Sequence, residues 1–128
     1  AGGIVWTIKP DLSSPEATIK SFVKTVYDGN LEAAGACVSK DGADYDEFKE
    51  MLATESNHPF QAMIKAMDVS VPIEITSKSI KDGRCKISWH FMLGRVYYFG
   101  ETKMKKGMHQ EFSSYLELVG DKWLIRDI

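Results

Sequence analysis

The side chains of this chain best suited to moving a proton are three histidines, His58, His90 and His109, with the acids and tyrosines that could come near them. Proton transfer needs a base held against the proton and a donor facing the charge that develops, both in a dry pocket. His58, Asp46 and Glu101 are the candidate bases, and Tyr27 and Tyr45 the candidate donors. Each has a plainer reading. His58 stands beside Pro59 at a helix break, where capping or solvent exposure is the ordinary role. A helical tyrosine is more often a core aromatic with its hydroxyl satisfied. His90 and His109 have the parity of the outer face of a sheet, where surface or interface roles prevail.

Other chemistries lack their residues. No two histidines or cysteines stand at ligand spacing on one element, so no metal set is expected. There is no phosphate-cradling glycine loop and no Gly-x-Ser-x-Gly. Cys37 and Cys85 are too few for a disulfide framework and are expected as buried, inert thiols. No cofactor is expected.

The elements that must position these groups divide the chain in two. From Ser13 to about Asp68 the apolar residues recur at helical spacing, and from Val69 to Ile128 they alternate at strand spacing. The layout is α+β, three helices followed by an antiparallel sheet. Ser14, Pro15 and Glu16 announce the first helix, whose Ile19, Phe22, Val23, Val26 and Tyr27 share a face before Gly29. Asn30 caps a short second helix, Leu31 to about Val38, whose alanines and Gly35 allow close packing. Asp44 and Glu47 have capping-box spacing before the stripe Tyr45, Phe48, Met51 and Leu52. Pro59 interrupts or restarts this third helix, and Phe60, Met63, Ile64 and Met67 continue it. Ile4 to Ile8 reads as a short strand or a strap.

In the sheet half, a three-residue loop Lys81-Asp82-Gly83 sets Ile75 opposite Trp89 and Ile73 opposite Phe91. Pro72 marks an edge strand or a bulge. A two-residue loop at Gly120-Asp121 pairs Leu118 with Trp123 and Leu116 with Ile125. Between these hairpins, Arg95–Met104 and Met108–Val119 read as two strands turning at Lys106-Gly107, with Gly94 either a turn or a kink. The inner face then carries Ile73, Ile75, Ile87, Trp89, Phe91, Tyr97, Phe99, Phe112, Ser114, Leu116, Leu118, Trp123 and Ile125, with no histidine and no acid. Its aromatics, with Tyr27 and Tyr45, define an apolar pocket. The outer face, with His90, Met92, Tyr98 and Tyr115, is apolar enough for a homodimer interface.

At 128 residues the chain is expected to form one domain, with residues 1–12 as an N-terminal strap. Sixteen basic and eighteen acidic side chains give a formal charge of −2, so no global field recruits nucleic acid or an anionic membrane. Lys103, Lys105 and Lys106 read as a solvated turn and edge-strand lysines. No apolar run reaches the ~20 residues that a membrane span needs, and a soluble chain is expected. The first residues, Ala1-Gly2-Gly3 without an initiator Met, fit either a processed N-terminus, as in an exported bacterial protein held in the periplasm or on a lipid anchor, or a remnant of expression.

Three segments carry a family resemblance: Ser14-Pro15-Glu16-Ala17 at the first helix start, the junction Tyr27-Asp28-Gly29-Asn30-Leu31-Glu32-Ala33-Ala34, and Gly120-Asp121-Lys122-Trp123 near the end. Over residues 13–128 the chain resembles the nuclear-transport-factor-2-like (NTF2-like) superfamily, nearest to its bacterial members. Many relatives have Gly-Asp where this chain has Gly29-Asn30. The resemblance implies a cone of helices against a curved sheet. It leaves function open, since this scaffold hosts isomerases, dehydratases, epoxide hydrolases, transport adaptors and oligomerisation domains.

The reading favoured by the uncharged inner face is a domain that binds a small hydrophobic molecule, or an interaction domain, rather than a demonstrable enzyme. Its pocket would be Tyr27, Tyr45, Trp89, Phe91, Tyr97, Phe99 and Trp123, and its dimer face His90, Met92, Tyr98 and Tyr115. The rivals are a cofactor-independent isomerase, dehydratase or hydrolase using the bases and donors named above, and a pocketless dimerisation module whose cone is filled by Trp89, Phe91 and Trp123.

Overall fold

The computed structural model describes residues 10–43, 45–54 and 59–128. The candidate cap Asp44, the histidine His58 and the segment Ile4–Ile8 lie outside them. Among the described residues four helices come first: α1 (Pro15–Tyr27), α2 (Leu31–Gly35), α3 (Tyr45–Thr54) and α4 (Pro59–Lys65). Six strands follow: β1 (Glu74–Lys81), β2 (Arg84–Met92), β3 (Tyr97–Phe99), β4 (Thr102–Met104), β5 (His109–Val119) and β6 (Lys122–Asp127). The main sheet runs β1-β2-β5-β6, all antiparallel, while β3 and β4 form a separate hairpin.

The helices start where their caps require. Ser14 Oγ accepts a hydrogen bond from Ala17 N, with Pro15 in the first turn. Asn30 Oδ1 accepts from Ala33 N at the start of α2. That helix is shorter than the sequence indicates, because beyond Gly35 the chain turns to lay Val38 beside Ile125 of β6 in a parallel bridge. Gly35 permits the close packing expected of it: a β-carbon there would come within 3.0 Å of the Phe48 ring. Pro59 begins α4, so the third predicted helix is two.

The sheet corrects one turn and keeps its register. The loop between β1 and β2 is the two residues Asp82-Gly83, both at positive φ, with Lys81 paired to Arg84. Ile75 nevertheless stands opposite Trp89, because a bulge between Ile75 and Ser77 supplies the extra residue assigned to the loop. Ile73 lies before the ladder begins at Glu74, so its pairing with Phe91 does not form. At the far end, Leu118 pairs with Trp123 and Leu116 with Ile125, as alternation requires.

Arg95–Met104 is not one long strand. Gly94 is where the chain leaves the sheet: its N–H bonds Ala66 O at 2.8 Å, and a β-carbon would meet the Asp68 backbone at 3.0 Å. The next residues fold into the β3–β4 hairpin, turning at Gly100-Glu101, and rejoin the sheet through the Lys106-Gly107 turn.

The core lies between α1 and the sheet. Ile19, Phe22, Val23 and Val26 of α1 are buried against Ile87, Trp89, Phe91, Leu116 and Ile125. Ser114, fully buried, accepts a 2.8 Å hydrogen bond from Trp89 Nε1. The segment after α2 is fastened by a polar network. Ser39 Oγ donates to Glu117 Oε1 at 2.7 Å, Arg126 Nη1 donates to Glu117 Oε2 at 2.7 Å, and Arg126 Nη2 donates to Asp41 O. The Ser39 hydroxyl above all, then Arg126, hold the Glu117 carboxyl below its ordinary range.

Two stability measurements check this account. Ser114→Ala leaves the Trp89 N–H buried without a partner and is expected to cost about 1–3 kcal/mol in urea unfolding. Glu117 is depressed in the folded state, so its contribution is present above the unfolded carboxyl value of about 4.3 and is lost as pH falls toward the folded value. Glu117→Gln is therefore expected to lower stability at neutral pH and to flatten its decline below about pH 4.5.

Candidate functional site

Five aromatic rings link the sheet to the helices. Trp89 stacks on Phe112 of β5 with centroids 4.5 Å apart, and Phe91 lies 5.8 Å from Phe112 and 6.3 Å from Trp89. Phe60 of α4 meets Phe112 edge-on at 6.3 Å and tilts against Phe22 of α1 at 5.9 Å. Trp89 and Phe91 are fully buried and floor the space between sheet and helices.

Beside these rings, and touching neither Trp89 nor Phe91, lies a cavity of about 160 Å³ lined by Phe22, Val38, Glu47, Phe48, Met51, Phe60, Phe112, Ile125 and Ile128. Its walls come from α1, α3, α4, β5 and β6, with the chain end at Ile128. It exists because α3 contributes Phe48 and Met51 to the core on one side, while Phe112 is covered on its other face by Trp89. Eight of the nine lining residues are apolar; the carboxylate of Glu47, at the exposed first turn of α3, is the one charged group.

The structure disperses the residues singled out by sequence. Tyr45 is half-buried with the Lys49 ammonium 5.3 Å over its ring. Tyr27 lines a different groove, between α1 and residues 67–73. Tyr97 donates its hydroxyl to Pro59 O at 3.1 Å, and burial raises its pKa. Trp123 is buried at the start of β6. Phe99 and Leu118, placed inward by alternation, are exposed. Asp46 faces solvent beside Lys49, and Glu101 sits exposed at the β3–β4 turn. Among the described residues no hydrogen bond joins Asp46 or Glu101 to Tyr27 or Tyr45. Glu47 is the polar group at the cavity that sequence reasoning assigned only to a helix cap. The available signal was its spacing of four from Met51, which puts both on one helical face.

On the outer face His90 and His109 stack with ring centroids 4.4 Å apart and planes 7° from parallel. His90 Nε2 lies 2.9 Å from Glu74 Oε2. Ring nitrogens of parallel stacked imidazoles direct their lone pairs side by side and do not converge on one ion, and no group of three metal-ligating side chains occurs among the described residues. Met92 shares this face, half-buried, and Tyr115 is exposed beneath Lys86. Tyr98 belongs instead to the β3–β4 hairpin. Both cysteines are buried and unpaired, and desolvation pushes the Cys37 thiol up to about 12, beyond nucleophilic use.

No protein-family model matches the sequence, and no curated protein is similar to it. Solved structures are. One is a Campylobacter jejuni protein designated an NTF2-like transpeptidase, at TM-score 0.58 and 19% identity, covering 88% of this chain and 97% of that one. Another is RPA3114, a SEC-C motif-containing protein from Rhodopseudomonas palustris, at TM-score 0.60 and 13% identity over 90% and 77% of the two chains. A third is an NTF2 design, Rd1NTF2_05 with five substitutions, at TM-score 0.52 and 12% identity over 87% and 91%. The chain has the NTF2-like fold, an α+β cone of helices on a curved antiparallel sheet.

Proposed function

We propose that this domain binds a small, largely apolar molecule in the cavity between Phe48, Phe60 and Phe112. The observation that carries this reading is an aromatic-walled space of about 160 Å³ with one carboxylate at its edge. Apolar cavities of about 150 Å³ take up benzene-sized guests. The ligand is therefore of single-ring size, smaller than the occupants of the ~300–1,000 Å³ sites that hold drug-sized molecules. Glu47 would favour a hydrogen-bond donor or a cation at the exposed end of that ligand. The reading is of binding without turnover, because among the described residues the side chains lining the cavity other than Glu47 are all apolar.

The outer sheet face is, on the same proposal, where two copies meet. Supporting this are Met92 and the stacked imidazoles of His90 and His109, side by side on one face of the sheet with the exposed Tyr115 on that same face.

Native mass spectrometry of the freshly purified protein, followed by calorimetric titration with benzylamine and toluene, tests both. A dimer is expected, together with saturable binding of both ligands. Glu47→Gln should weaken benzylamine selectively, and Ile128→Trp should plug the cavity against both. Absence of binding by either ligand would refute the cavity reading, and a monomer at micromolar concentration would refute the dimer.

A further inference from the structure

The chain's charge of −2 conceals a local surplus of the opposite sign. Between Arg95 and Lys106 stand four cations, Arg95, Lys103, Lys105 and Lys106, and one acid, Glu101, a net +3 within twelve residues. The remainder of the chain is correspondingly at −5. The same segment holds exposed apolar side chains, Val96 at 45%, Tyr98 at 61% and Phe99 at 66%, and Met108, two residues beyond it, is 40% exposed.

The hairpin geometry sorts these groups. Tyr97 pairs with Met104 across β3 and β4, and both pack against the core, with the Tyr97 hydroxyl bonded to Pro59 O. Their neighbours by alternation therefore face away: Tyr98 stands directly opposite Lys103, with Val96 and Lys105 one pleat further on. Phe99 completes the patch at the turn. A β-carbon added at Gly100 or Gly107 would meet no atom within 4 Å, so both turns project into open space. Anchored on one face through Tyr97 and Met104, the hairpin presents Tyr98 and Lys103 on the other, with Phe99 exposed at its tip.

We propose that the β3–β4 hairpin docks this domain onto an anionic lipid surface. Aromatic side chains suit the level of the lipid headgroups, and lysines beside them can extend their ammonium groups to anionic lipids while their stems cover apolar surface. A narrow projecting turn can enter a fluid interface, whereas a stable protein partner would need about 800 Å² of flat, complementary surface per side. Each basic residue near an anionic surface raises partitioning about fivefold. Single-stranded nucleic acid is less favoured, since two of the four exposed apolar residues, Val96 and Met108, offer no ring for a base to stack on.

The test is co-sedimentation of the full chain with vesicles of phosphatidylcholine containing phosphatidylserine, against pure phosphatidylcholine. Binding is expected only to the anionic vesicles and should fall as salt is raised. Lys103→Glu with Lys105→Glu should reduce it by on the order of 25-fold or more. Tyr98→Ser with Phe99→Ser should also reduce it, with an unchanged thermal midpoint because both rings are exposed. Lack of binding to anionic vesicles would overturn the proposal. So would equal binding to neutral vesicles, binding untouched by these variants, or capture of a single-stranded RNA oligomer in place of vesicles.

Discussion

The stack of Trp89 on Phe112 is the interaction on which the rest of the structure depends. It joins β2 to β5 across the main-sheet ladder and fixes the indole so that its N–H reaches the buried Ser114 hydroxyl. It also turns the free edge of Phe112 toward Phe60, through which α4 and α1 are held over the sheet. A buried polar group such as the indole N–H is tolerated only with its partner in place, so this one hydrogen bond determines the orientation of the largest ring in the core. The cavity is a consequence: once Trp89 covers one face of Phe112, the opposite side is left to the side chains of α3 and the chain end.

How much of this is legible in the sequence varies with what each feature depends on. Ser14 and Asn30 are locally sufficient helix starts, because a side-chain acceptor facing free N–H groups needs nothing from the rest of the fold. The pairing of Ile75 with Trp89 is legible because burial of one face forbids a slip by one residue. The turn beside it is not, since alternation reports parity alone. A longer loop and a two-residue loop with a bulge satisfy the same parity, and Pro72, the one sequence mark of a bulge, is equally explained by the edge position of β1. Phe99 and Leu118 obey alternation yet stay exposed: Phe99 belongs to the separate β3–β4 hairpin, and Leu118 stands at the end of β5 beside the Gly120-Asp121 turn. The break at Gly94 is set by the approach of Asp68, a contact between segments far apart in sequence.

The candidate site shows the same division. An uncharged inner sheet face can be read from alternation, and Trp89 and Phe91 are buried on it; the cavity, however, is lined by none of the seven aromatic residues which that reading assigned to a pocket. Which helical residues complete the walls depends on the rotation of α3 about its own axis. That rotation brings Glu47 to the cavity and leaves Asp46 in solvent, a difference of one residue and about 100° of turn. The apolar walls and the single carboxylate argue for recognition of shape, with one polar contact setting orientation.

The central claim, that the cone keeps a dry, ligand-sized space against Phe112, is tested most directly by diffraction from crystals held under xenon pressure, because xenon enters apolar cavities without needing polar contacts. The account predicts a strong xenon peak among Phe48, Phe60, Phe112 and Ile125. An absence of xenon there, with Phe48 or Met51 swung inward to fill the space, would contradict it.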